Sequence, residues 1–215
     1  MEMTEETNPN SKWRKAAFAI VAGGVFGFVA AFAFMQMADL PSVDLEPSAE
    51  VAGLIGVIYL LTAVMVGVGV VHPGFGARFL NAEDALELRE QRRLLAFSAS
   101  SIACMGGALL LAALSGPDGS VEPDVGLVAL PLLLLGTALG LAQWHYADEL
   151  MRMVSRESAT FAFYLLFALG GGWALLAWLG YAAAPVPLDW LSMLYASGLV
   201  GSFIASGRRG MLMMR

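Results

Sequence analysis

Six apolar runs, at about 16–38, 51–71, 94–115, 124–144, 159–182 and 189–207, leave this chain of 215 residues few folds to choose from. Each is roughly 20 residues long, the length that crosses a ~30 Å hydrocarbon core at ~1.5 Å per residue. In lipid every backbone amide must be satisfied within the protein, so isolated runs of this kind become helices. The expected fold is all-α: a polytopic membrane bundle of six transmembrane helices in three hairpins, with a parallel internal repeat.

The direction of each span follows from charge. All 12 Lys and Arg residues fall before the first run, between the second and third, between the fourth and fifth, or after the sixth. They are Lys12, Arg14 and Lys15; Arg78, Arg89, Arg92 and Arg93; Arg152 and Arg156; and Arg208, Arg209 and Arg215. The alternate connections, 39–50, 116–123 and 183–188, have no base. Their side of the membrane carries acids alone: Asp39, Asp44, Glu46, Glu50, Asp118, Glu122, Asp124 and Asp189. Basic residues mark cytoplasmic loops, so both termini are expected in the cytoplasm, and the short loops suit a bacterial inner (cytoplasmic) membrane.

Composition excludes several classes of protein. With 58% hydrophobic and 14% charged residues, the chain is too apolar for a soluble globule. The longest polar connection, 72–93, is too short to hold a soluble core. The domain reading is a disordered cytoplasmic tail at 1–15, a six-helix membrane domain at 16–207, and a second cytoplasmic tail at 208–215. Glu2, Glu5 and Glu6 argue against a cleaved signal peptide, although Ala31-Phe32-Ala33 imitates a cleavage site. No basic patch exceeds its neighbouring acids, so nucleic acid is not an expected partner. The expected partners are the lipid bilayer and other membrane subunits, or a second copy.

Sliding residues 84–135 by 64 positions lays them on 148–199 without a gap. Asp84 then meets Asp148, Arg92 meets Arg156, Gly106-Gly107 meets Gly170-Gly171, and Pro123 meets Pro187. Each copy is a charged cytoplasmic turn, an outgoing span, a Pro-containing loop and a returning span. Both enter from one side, which makes them parallel repeats about an axis along the membrane normal. Within a pair, Asp84 and Arg92 stand too far apart along a helix to touch, as do Asp148 and Arg156. The repeat predicts reciprocal pairing of Asp84 with Arg156 and of Asp148 with Arg92. The first hairpin, with its own Gly23-Gly24, aligns poorly and is either a diverged copy or an addition.

Because lipid tails are as apolar as Leu, spans associate through small residues that let backbones approach. The candidate packing positions are Gly23, Gly24, Gly106, Gly107, Gly170 and Gly171, with Ala52/Gly56 and Gly201/Ala205 at helical spacing. Pro131, inside the fourth span, is expected to disturb its helix.

Chemistry is harder to find. No Asp, Glu, Lys, Arg or His lies deep in a span, and buried ionisable groups are the usual marks of proton and ion pathways. The span serines have no His or Lys base beside them, and no Gly-rich phosphate loop or Cys cluster occurs. Cys104 is the only cysteine, which rules out an internal disulfide. His72 and His145 both end spans at the cytoplasmic boundary, where a pair of imidazoles is able to ligate a haem or a metal. Interfacial placement, with the polar tips among the headgroups, is the better account of both, so no cofactor is expected. The Met-x-Met groups at 35–37, 151–153 and 211–213 fall on opposite sides of the membrane and do not form one site. Gln36, Tyr59, Thr62, Gln143, Tyr164 and Tyr195 are polar residues suited to a solute pathway or to holding helices together. The sequence thus points to a scaffold or accessory subunit with no catalytic residue. A small permease or channel for a neutral or lipid-like solute is the alternative, and His72/His145 ligation of haem or metal the third.

Overall fold

The computed structural model describes residues 24–25, 27–36, 45–72, 90–116 and 119–211. These form six helices and no strand: α1 (Gly27–Gln36), α2 (Pro47–Val71), α3 (Arg92–Leu114), α4 (Pro123–His145), α5 (Glu149–Trp178) and α6 (Pro187–Arg208). The last five are long and apolar enough to cross a membrane, consistent with a multi-pass membrane protein.

Local chemistry sets where these helices begin and end. Pro47, Pro123 and Pro187 each open a helix, where the missing N–H removes no intrahelical bond and φ is already helical. Asp148 caps α5, its carboxylate accepting from the Met151 amide at 2.7 Å. At the start of α6 the Asp189 carboxylate accepts from the Val186 amide at 2.8 Å. Gly180 closes the turn after α5 at φ 80°, a conformation that L side chains avoid. Pro131 acts four residues upstream of itself. It has no amide to offer Leu127, whose carbonyl accepts from the Leu130 amide at 3.1 Å instead. The helix tightens at 127–128 and resumes at Ala129.

Close approaches fix how neighbours run. Gly56 faces Leu110 while Tyr59 faces Gly106, so α2 and α3 are antiparallel. Gly126 faces Ser115 and Gly140 faces Ser101, which makes α3 and α4 antiparallel as well. Gly170 meets Trp190 and Gly201 meets Ser158, giving the same relation for α5 and α6. The most extensive interface is α2 with α3, followed by α5 with α6 and α3 with α4; α6 also packs on α2 and touches α3. Among the described helices these contacts form a row with α4 and α5 at its ends: α5 packs on α6, and α4 packs on α3.

This arrangement collects Arg92, Arg93, Arg152, Arg156, Arg208 and Arg209 at one end. The other end holds Glu46, Glu50, Glu122, Asp124 and Asp189, with no Lys or Arg among the described residues. Helix α5 has 30 residues, about 45 Å at ~1.5 Å per residue. That exceeds a ~30 Å core, and the surplus length matches its charged first turns, 149–158.

Candidate functional site

The tightest contacts in the bundle are at glycine. A Cβ on Gly106 would stand 2.7 Å from Tyr59 Cβ and 2.9 Å from the Gly56 carbonyl oxygen. On Gly56 it would stand 2.9 Å from the Leu110 amide nitrogen. These two glycines let the α2 and α3 backbones touch. Ala52, Leu109 and Ala113, all fully buried, fill the space beside them. Gly201 does the same for α6 and α5, with Ser158 O at 2.5 Å and Ala162 N at 2.9 Å from a built Cβ.

The candidate glycines therefore separate. Gly106 packs backbone to backbone, and Gly170 packs under the Trp190 ring, 2.8 Å from a built Cβ. Gly107 meets only Leu132 Cδ1, at 3.9 Å, and Gly171 meets nothing within 4 Å. Among the described residues neither Gly107 nor Gly171 meets a packing neighbour in the way Gly106 and Gly170 do. In each pair the second glycine is rotated ~100° from the first, which turns it off the contact. Gly24 meets nothing within 4 Å among the described residues, and Gly23 lies outside them.

The charges at the arginine-bearing end also part company with expectation. Asp84 lies outside the described residues. Asp148 is engaged as the cap of its own helix, and Arg92 is exposed at the start of α3, so these two do not pair. Arg156 sits over the Trp144 ring at 6.0 Å from its centroid, tying the first turns of α5 to the end of α4. The ion pair at this rim is between Arg209 Nε and Glu157 Oε2, at 2.8 Å. The Arg209 hydrogen bond holds the Glu157 carboxyl below its ordinary range. Spacing in sequence gave no sign of this contact, because the partners are 52 residues apart.

His72 ends α2 and His145 ends α4, both exposed. Both helices pack on α3. No group of three potential metal-ligating side chains occurs among the described residues.

What the structure does assemble is a polar seam under a pocket at the acidic end of the bundle. Tyr59 Oη donates to the Tyr195 carbonyl at 2.8 Å, and the two rings are 5.1 Å apart, which joins α2 to α6. Ser101 Oγ donates to the Gly136 carbonyl at 2.7 Å, which joins α3 to α4. The hydroxyls of Ser192 and Tyr195 are buried without a hydrogen-bond partner among the described residues, and so is that of Ser115. Above this layer the ends of α2, α3 and α6 enclose a cavity of about 380 Å³. Its walls are apolar, chiefly Ala49, Ala112, Ala113, Leu188 and Leu191, with Glu46 and Ser48 as the polar lining. Tyr59 and Tyr195 stood out as polar residues within spans. The pocket left no sequence signal, because its walls are the same Ala, Leu and Gly that fill every span.

No protein-family model, curated protein or solved structure matches this chain.

Proposed function

We infer that the chain is a non-catalytic integral membrane subunit, a scaffold or accessory component that docks other membrane proteins or a second copy. The observation that carries this reading is the outward face of α5. Among the described helices α5 packs on α6, and residues on its other side are exposed. On that surface Ala168, Gly171 and Gly172 are exposed, and a Cβ on either glycine meets nothing within 4 Å. Ala168 and Gly172 are one turn apart, a small-xxx-small spacing of the kind that seats another helix in lipid. Gly106 and Gly201 use that device inside the chain; α5 offers it outward. Phe163, Tyr164 and Phe167 extend the same open surface toward the cytoplasmic end.

Under this reading both termini are cytoplasmic and the membrane is a bacterial inner membrane, which the segregation of arginines supports. The α3–α4 and α5–α6 pairs are then duplicated hairpins. Pro123 and Pro187 open their returning helices at equivalent positions, in keeping with duplication. Extraction from native membranes into polymer-bounded discs tests the subunit reading. A stoichiometric partner or second copy that is lost in Gly172→Leu supports it, and a chain accompanied only by lipid in both forms counts against it. The cavity at the outer end favours a second reading, a small permease for a neutral or lipid-like solute.

A further inference from the structure

We propose that the outer cavity binds a single-chain amphiphile with a cationic head, its amine at Glu46 and its chain against α3 and α6. This inference names the ligand class for the permease reading and does not depend on the subunit reading.

Size and lining come first. About 380 Å³ lies within the ~300–1,000 Å³ of small-molecule clefts. Ala112, Ala113, Leu188 and Leu191 give the walls no hydrogen-bonding side chain, so the body of the ligand is hydrocarbon. The position agrees with this, since the cavity lies where α2 and α6 begin and α3 ends, at the level of lipid headgroups.

The head is decided by charge. Glu46 is exposed and occupies the N-cap position of α2, yet its side chain makes no capping bond to its own helix. It has no ion pair among the described residues, and no base occurs in 39–50, 116–123 or 183–188. Asp189, the nearest acid on α6, is already engaged by the Val186 amide. A carboxylate, sulfate or phosphate head would meet Glu46 with no cation to offset it, whereas an ammonium group finds a free carboxylate with the Ser48 hydroxyl beside it.

The test uses the full chain in discs of zwitterionic lipid and a long-chain alkylamine bearing a terminal diazirine, with the matched alkyl sulfate and alkyl glucoside as controls. The expected result is saturable labelling of the 112–116 and 186–195 segments by the amine, in preference to the sulfate. Glu46→Gln should reduce the amine-to-glucoside affinity ratio about two- to fivefold, the size of a partly exposed ion pair, and added salt should reduce it in the parent. Ala112→Phe, which fills the cavity from a half-buried position, should abolish labelling, and Glu46→Gln keeps the test valid if that variant does not fold. A two-chain lipid probe with an ammonium head distinguishes sources: labelling by both probes identifies a bilayer lipid, and labelling by the single-chain amine alone identifies a free amphiphile. Equal labelling by amine and sulfate, or labels spread over all exposed helices, would overturn the proposal. Loss of transport without loss of binding would sink only the permease reading.

Discussion

Replacing Gly106 with Ala tests whether two helix backbones in this bundle touch through a missing side chain. The added Cβ would stand 2.7 Å from Tyr59 Cβ, 2.9 Å from the Gly56 carbonyl oxygen and 3.0 Å from the Leu60 amide nitrogen. Ordinary Cβ contacts begin near 3.4 Å, so α2 and α3 must separate by roughly 0.4–0.7 Å. The obstructing atoms are backbone or Cβ, which no rotamer change can move aside. A gap of that size forfeits about a quarter to a half of the dispersion energy of each contact it opens. Overpacking of this kind costs about 1–3 kcal/mol, against which Ala returns up to ~1 kcal/mol of helix propensity. Gly107→Ala receives the same propensity gain, yet its nearest new neighbour is 3.9 Å away. The difference between the two variants isolates packing and should be about 1–3 kcal/mol, roughly five- to 150-fold in the unfolding equilibrium. Reversible unfolding in mixed micelles, followed by tryptophan fluorescence, measures it. If the two variants are equally stable, the α2–α3 contact does not depend on glycine and the packing argument fails.

The two tyrosines of the seam should respond oppositely. Tyr59→Phe removes the hydroxyl that donates to Tyr195 O and should cost about 0.5–1.5 kcal/mol, whereas Tyr195→Phe removes an unpartnered hydroxyl and should be neutral or stabilising in the same assay. Glu157 is held below its ordinary range by Arg209, so its contribution is fully present above ~pH 4.3 and is lost as pH falls through the lower folded value. Unfolding of the parent should therefore become easier below that point, and Glu157→Gln should lose this dependence; an unchanged pH profile in the variant would remove the ion pair from the account. A reporter active only in the cytoplasm should work when fused after Arg215 and stay silent at Pro47 or Gly119, and activity at either of those loops would overturn the assigned direction of the spans.

Much of the architecture was legible because the bilayer imposes it. Apolar run length and the segregation of arginines located the five described spans and their alternation, since both report the thickness and polarity of the surroundings rather than any detail of packing. Pro47, Pro123 and Pro187 marked helix starts for an equally local reason. What spacing did not resolve was rotation about each helix axis. Gly106 and Gly107 look alike in sequence, yet ~100° of rotation puts one in an interface and leaves the other beside a distant methyl group. The same blindness affected the cytoplasmic charges. Repeat symmetry joined Asp148 to Arg92, whereas the orphan amides at the start of α5 take the Asp148 carboxylate locally and Glu157 finds Arg209 across the helix pair. Spacing also left open which helices neighbour α2 and α4, the carriers of His72 and His145; both pack on α3.

The proposed docking face on α5 is tested most directly by covalent capture in native membranes. A photoreactive residue placed at Gly172, where a Cβ meets nothing within 4 Å, should yield one protein adduct of defined mass, either a membrane partner or a second copy. The same residue at Leu134 on α4, 62% exposed on the opposite edge of the row, should yield lipid adducts. Lipid adducts alone at Gly172 would contradict the account, because α5 would then face hydrocarbon along its whole open side.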